Sequence, residues 1–191
     1  PSDKVVYAAY AGKAALVLKR KGCPNAMTLH RLIYKSVRTG NGKFTHIPKA
    51  SLDRPYKLII VDEISMVHDN MMQLLLKFNV HIIALGDPFQ LPSFSKDNGL
   101  LKNPHVFLTE IMRQSADNEI IDFSFKLRES KPIEVFKGND LQILNKSAVV
   151  DGMYTWADQI ICATNKTRFD INNVVREMQG RGKEIEDGDK M

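Results

Sequence analysis

Leu58-Ile59-Ile60-Val61-Asp62-Glu63 is the stretch whose reading decides the fold. Four apolar residues in a row, three of them β-branched, suit a strand covered on both faces, as in a parallel sheet. The run stops at two carboxylates. Beyond it Met71, Leu74, Leu75 and Phe78 recur at i, i+3, i+4 and i+7, which predicts an amphipathic helix with Asp69 as its N-cap. His81-Ile82-Ile83-Ala84-Leu85 reads as the next buried strand and ends in Gly86-Asp87. Strand, helix and strand with short connections make a βαβ unit, so the fold class is α/β with a parallel sheet and flanking helices.

Working outward, Val5 to Tyr10 reads as another short buried strand, followed after Gly12 by a helix to about Lys21 that Gly22, Pro24 and Asn25 close. A shorter helix is expected from Thr28 to Tyr34. Residues 35–50 are polar, basic and turn-rich around Gly40-Asn41-Gly42, the pattern of an exposed hairpin or loop. Val106-Phe107-Leu108 and Gln159-Ile160-Ile161-Cys162-Ala163 have strand character. Ser115 or Asp117 is the expected cap of a helix to about Arg128, and Ile171, Val174, Val175 and Met178 repeat the helical spacing. Trp156, just before an apolar run, reads as a core residue. Residues 129–155 are mixed and give no clear assignment. A boundary near residue 109 divides the chain into 1–108 and 109–191.

The 191 residues contain 43% hydrophobic and 26% charged residues, which is ordinary globular composition and argues against a disordered tail or fibrous repeat. No apolar run approaches the roughly 18 residues that a membrane-spanning helix needs. Cys23 and Cys162 lie far apart without C-x-x-C spacing, which fits two reduced thiols and a cytoplasmic location better than a disulfide scaffold or zinc finger. A formal charge of +5 is compatible with a nucleic-acid partner without establishing one.

In an open α/β sheet, ligands bind beyond the carboxyl ends of the strands, so the polar groups of interest stand where apolar runs stop. Asp62-Glu63 stands there, and so does Gly86-Asp87. Mg²⁺ prefers oxygen ligands and commonly takes one or two carboxylates together with phosphates and waters. An Asp at a strand end followed by Glu is the arrangement of nucleotide hydrolases in which the Glu orients the attacking water. The competing reading is that either carboxylate merely caps the following turn.

Three further segments stand in order around Asp62-Glu63: Ala11-Gly12-Lys13-Ala14-Ala15 with Thr28-Leu29-His30, then Ala84-Leu85-Gly86-Asp87-Pro88-Phe89-Gln90-Leu91-Pro92, then Leu108-Thr109-Glu110-Ile111-Met112-Arg113-Gln114. Together the four resemble motifs Ia, II, III and the arginine-finger motif of superfamily 1 DNA helicases, in the branch of RecD, phage Dda and related 5′→3′ enzymes. The resemblance implies a RecA-like domain over 1–108, with a small hairpin or loop at 35–55, and part of a second RecA-like domain over 109–191. It implies Mg²⁺ and ATP as cofactors and single-stranded DNA as partner. Asp62 would hold Mg²⁺, Glu63 would activate water, Gln90 would sense the γ-phosphate, and Arg113 would stabilise charge on the transferred phosphoryl group.

Lys13, Thr28 and His30 would contact the DNA strand. Thr28 reads equally as a helix cap, His30 as a structural histidine, and Arg113 as a surface arginine. The basic stretch with Lys35, Arg38, Lys43, His46 and Lys49, with Phe44 beside it, lies where the family inserts an element that can separate strands; a solvated basic loop is the other reading.

A phosphate cradle G-x-x-x-x-G-K-[ST] does not occur in the sequence. Gly12-Lys13 precedes Ala14, Gly42-Lys43 precedes Phe44 and Gly182-Lys183 precedes Glu184, while Tyr7, Val37 and Glu177 stand where the first glycine would be. The chain begins with Pro1 rather than Met, and the resemblance implies that the cradle and the later motifs lie outside it, so these residues alone are expected to hydrolyse ATP negligibly. A non-catalytic nucleic-acid-binding or scaffold protein, and a RecD-type subunit of a helicase–nuclease complex, are the alternative readings. The pathway, whether repair, recombination, replication or phage growth, is open.

Overall fold

The computed structural model describes residues 3–91, 93, 96, 98–108, 118–182, 184 and 186–187. The chain divides into two compact units, Pro1–Thr109 and Glu110–Met191.

The first unit is a four-stranded parallel sheet in the order β2-β1-β5-β6. Its elements run β1 (Val5–Ala9), α1 (Gly12–Arg20), β2 (Met27–Thr28), α2 (Leu29–Ile33), the hairpin β3 (Tyr34–Arg38) and β4 (Phe44–Pro48), β5 (Leu58–Asp62), a 3₁₀ turn (Ile64–Met66), α3 (Asp69–Leu76) and β6 (His81–Ala84). β5 pairs with β1 from Val5 opposite Leu58 to Ala9 opposite Asp62, and with β6 from Leu58 opposite His81 to Val61 opposite Ala84. Ile59 and Val61 on β5, Val6 and Ala8 on β1, and Met71 and Leu75 on α3 are fully or almost fully buried in one cluster with Leu29, Ile33, Ile64 and Val67. Each buried Val, Leu, Ile or Met among them contributes roughly 1.5–3 kcal/mol before chain entropy is counted.

Local chemistry explains where the elements stop. After α1, Gly22 (φ +91°) takes the left-handed conformation, its N–H donates to Lys19 O at 3.1 Å and the Cys23 N–H donates to Leu18 O at 3.1 Å, which together satisfy the last carbonyls of the helix. Thr28 Oγ1 accepts the Arg31 N–H at 3.2 Å and caps α2. The cap of α3 is His68, whose Nδ1 accepts the Met71 N–H at 3.2 Å. Asp69, the expected cap, sits one residue inside, where a carboxylate still suits the helix N-terminus.

Residues 35–50 form a hairpin, closed by Thr39 N–H donating to Lys43 O at 2.7 Å. Its outer face carries Arg38, Lys43 and Phe44, the last 68% exposed. Lys49 instead anchors the hairpin base, donating to Arg31 O at 2.9 Å and pairing with Asp53 at 2.7 Å. β6 differs from the buried strand expected at 81–85: Ile83 and Leu85 are about half exposed, because among the described strands β6 has a neighbour on one side only.

The second unit contains α4 (Glu119–Arg128), the antiparallel pair β7 (Phe136–Lys137) and β8 (Gln142–Ile143), a 3₁₀ turn (Lys146–Ala148), α5 (Gly152–Trp156) and α6 (Asn165–Met178). Asn118 caps α4, its Oδ1 accepting the Ile120 N–H at 2.8 Å; Ser115 and Asp117 lie outside the described residues. The strand expected at 159–163 does not form, and Ile161 is 91% exposed. Val106, Phe107 and Leu108 are likewise exposed and not a strand, and Trp156 is 87% exposed rather than in a core. A strand is completed only by neighbours to bond with, and among the described residues of this unit the strands are two-residue pieces that pair with each other. A parallel second sheet is therefore not seen among them.

What organises the second unit locally is a carboxylate. Glu119, in the first turn of α4, accepts the N–H groups of Asn139, Asp140 and Leu141 at 3.2, 2.9 and 3.1 Å. These bonds, the one from Asp140 foremost, hold its pKa below the ordinary 4.5. Gly138 lies against the same carboxylate, which a Cβ there would meet at 2.2 Å.

Two predictions follow from backbone strain and from this clamp. Glu63 leaves β5 in the left-handed region (φ 55°, ψ 48°), where glycine is at ease and other residues are strained. With the side chain removed in both, Glu63→Gly should be more stable than Glu63→Ala by about 1 kcal/mol in urea unfolding; equal stability would remove the strain. For Glu119, a depressed folded pKa gives a contribution fully present above the unfolded value and lost as pH falls through the folded one. The stability gap between wild type and Glu119→Gln in thermal melts should therefore be constant near neutrality and close below about pH 4.5. A gap that does not narrow as the pH falls below about 4.5 would contradict the clamp.

Candidate functional site

The strand order reverses between β1 and β5. From β1 the chain crosses to β2 on one side, and from β5 to β6 on the other, so the two connections leave in opposite directions. Such a switch point opens a crevice at the carboxyl ends of the two strands. Ala9 and Asp62 face each other there in register.

Each strand delivers polar groups to this edge. β1 runs through Tyr10 and Ala11 into α1, whose first turn holds Gly12 and Lys13. Ala11 provides no side-chain cap and the first turn has no acidic residue, so the amides at this helix end keep their positive character. β2 brings Thr28, paired beside Ala9, and then His30. The His30 ring stands edge-on to Tyr10 at 5.7 Å and stacks on Tyr34 at 5.9 Å. Desolvation, followed by the nearby His68 and His46, lowers its pKa from the ordinary 6.5, which favours the neutral ring.

β5 brings Asp62 and Glu63, both half-buried, with Asp62 Oδ1 accepting the Glu63 N–H at 3.0 Å. The left-handed backbone at Glu63 turns the chain directly into the 3₁₀ turn. Ser65 in that turn is buried, and among the described residues its hydroxyl has no hydrogen-bond partner. β6 leaves through Leu85, whose N–H donates to Val61 O at 2.8 Å and whose carbonyl accepts the Ile64 N–H at 2.9 Å. Gly86 is required at the next position, because a Cβ there would approach the Ile64 side chain to 2.7 Å. Asp87 then organises a tight turn, its Oδ1 accepting the Phe89 N–H at 2.9 Å and its carbonyl the Gln90 N–H at 3.2 Å. Gln90 is exposed on this turn.

The fold thus brings Lys13, Thr28, Asp62, Glu63 and the Gly86-to-Gln90 turn to one edge of one sheet. Thr28 spends its hydroxyl on capping α2. Arg113 lies outside the described residues. Among the described residues no group of three or more His, Cys, Asp or Glu could hold a metal alone. The oxygen donors of Asp62 and Glu63 fit the hard Mg²⁺ ion, which completes its shell with waters and phosphate oxygens.

Sequence reasoning missed Asn98. Its Nδ2 donates to Ile64 O at 3.1 Å and to Val67 O at 2.5 Å, so it binds the turn that follows Glu63. A lone Asn in a loop carries no periodic signal, and only the tertiary contact reveals it.

The AAA domain family matches residues 2–151. The ATP-dependent RecD2 DNA helicase of Deinococcus radiodurans is 36% identical over 121 residues, an alignment covering 58% of this chain and 16% of that protein. Among solved structures, the Bacteroides Pif1 helicase in complex with ADP-AlF3 and ssDNA aligns with a TM-score of 0.49 at 20% identity, over 97% of this chain and 49% of that one. A structure of two coordinating Pif1 helicases at forked dsDNA aligns with a TM-score of 0.34 at 24% identity, over 48% of this chain and 25% of that one. The chain therefore spans less than half the length of these relatives. No helix among the described residues is long and apolar enough to cross a membrane. With most of its length inside the family match, and with its strand-end residues resembling those of RecD-type helicases, the chain belongs to the AAA domain family.

Proposed function

We propose that this chain forms part of an ATP-dependent DNA helicase motor that couples ATP hydrolysis to movement along single-stranded DNA and to duplex unwinding. The observation that carries the reading is Asp62-Glu63 at the carboxyl end of β5, in register with the end of β1 at the reversal of strand order. In this reading Asp62 holds Mg²⁺, which supplies charge neutralisation to the phosphates, and Glu63 orients the attacking water. Gln90, a neutral amide able to donate and accept at once, links phosphate state to bound DNA. Arg113 stabilises charge on the transferred phosphoryl group. The DNA strand lies along the edge that carries Lys13, Thr28 and His30, where Lys13 meets a phosphate and the Tyr10, His30 and Tyr34 rings offer aromatic surface. The basic hairpin with its exposed Phe44 extends the positive surface of the same unit. A cytoplasmic setting belongs to the same reading.

The sequence contains no phosphate-cradling loop of the G-x-x-x-x-G-K-[ST] type, so the carboxylates lack the partner that supplies most triphosphate contacts. Steady-state ATPase assays on the 191-residue chain should show no turnover above background, with or without single-stranded DNA. Turnover that Glu63→Gln abolishes would overturn this expectation.

DNA binding is tested separately. Fluorescence anisotropy with a labelled oligo(dT) should show binding that weakens with salt, and Lys13→Ala should reduce the slope of log K against log[salt] by about 0.7, one phosphate contact. No binding at low salt would count against the DNA edge, and an unchanged slope would remove Lys13 from it.

A further inference from the structure

The turn following Glu63 is bonded from two directions. On one side, the Ile64 N–H donates to Leu85 O, at the exit of β6, at 2.9 Å. On the other, Asn98 reaches back to the same turn, its Nδ2 donating to both Ile64 O and Val67 O. The Asn98 Oδ1 accepts the Leu100 N–H at 3.0 Å, which fixes the amide plane and uses the acceptor as well as both hydrogens. The surroundings reinforce the second joint. The Asp69 N–H donates to Lys96 O at 3.0 Å, and Leu101 packs against the buried core beside Gly86. The turn at 64–67 is therefore bonded on one side by the exit of β6 and on the other by Asn98.

That turn is also what sets the backbone of Glu63. The Met66 N–H donates to Glu63 O at 3.2 Å and the Val67 N–H to Ile64 O at 3.1 Å, closing the turn directly behind a residue held at φ 55°. A strained conformation persists only where its surroundings over-determine it. Here the surroundings include the β6 exit and the half-buried Asn98 amide.

We propose that Asn98 is a positioning residue that holds the turn at 64–67 and, through it, keeps Glu63 in the left-handed conformation. Its meaning for nucleotide chemistry rests on the reading of Glu63 above, while the mechanical link rests on the hydrogen bonds alone. Asn98→Asp keeps the shape but sets a carboxylate against two carbonyls, which removes the donors and adds repulsion.

The test is a double-mutant cycle on the 191-residue chain, combining Glu63→Gly and Glu63→Ala with Asn98 and with Asn98→Asp. The folding equilibrium should favour Glu63→Gly over Glu63→Ala by about fivefold with Asn98 present, and by less than about twofold with Asn98→Asp, because the freed turn no longer imposes the strain. A purely structural Asn98 predicts an unchanged advantage, and that result overturns the proposal.

Amide hydrogen exchange on the single variant gives the second readout. Asn98→Asp should speed exchange at 64–68 and at Leu100 about tenfold while leaving the β1 amides as they were. Exchange at 64–68 within twofold of wild type overturns the link. If Asn98→Asp opens the whole unit, Asn98→Ser takes its place, and uniform loss of protection in both variants also overturns it. None of these measurements uses ATP, so a failure of the helicase reading leaves the link standing, and a failure of the link leaves that reading untouched.

Discussion

Parallel pairing of β5 with β1 is the contact on which the first unit depends. It sets Val6 and Ala8 beside Ile59 and Val61, so that two strands with little polar surface bury one another and receive α3 through Met71 and Leu75. The same register brings Ala9 level with Asp62 and ends the apolar wall where the carboxylates begin. Burial and chemistry are thus separated along the strand axis: the middle of the sheet holds the unit together, and its carboxyl edge is left to groups that need water and ions.

That edge is made rigid by interactions that the apolar core does not supply. Leu85 bonds to both Val61 and Ile64, Gly86 lets the β6 exit pass against Ile64, and Asn98 ties two carbonyls of the turn behind Glu63. The strain at Glu63 is the local cost of turning sharply out of a strand that has to end on two acidic side chains. A hydrogen-bonded frame, from Leu85 on one side and Asn98 on the other, surrounds that turn.

The two units contrast in how they are held. Among the described residues, the buried side chains belong to the first unit except for Ile121. In the second, the described residues rely on helix caps and on the Glu119 carboxylate gathering three consecutive amides. Apolar segments there, such as 159–163 with Trp156 ahead of them, stay exposed among the described residues.

The sequence by itself determined the elements of the first unit and the class of its site. Apolar runs and helical spacing gave β1, β5, α1 and α3, and the acidic pair at the end of β5 marked where ligand chemistry belongs, because patterns of two and 3.6 residues and abrupt changes of polarity are local properties of the chain. Local signals also misplaced things that depend on neighbours. Asp69 yielded the cap of α3 to His68, and Trp156 with residues 159–163 carried core-like composition without a surface to pack on. Only the tertiary structure decided the strand order that puts Asp62 at the switch point, the exposed edge of β6, the left-handed Glu63 and the bonds of Asn98. These depend on which segments meet over long stretches of chain, as Val5 meets Leu58 and Asn98 meets Ile64, and because closure cost rises only slowly with loop length, no single stretch of sequence encodes the choice.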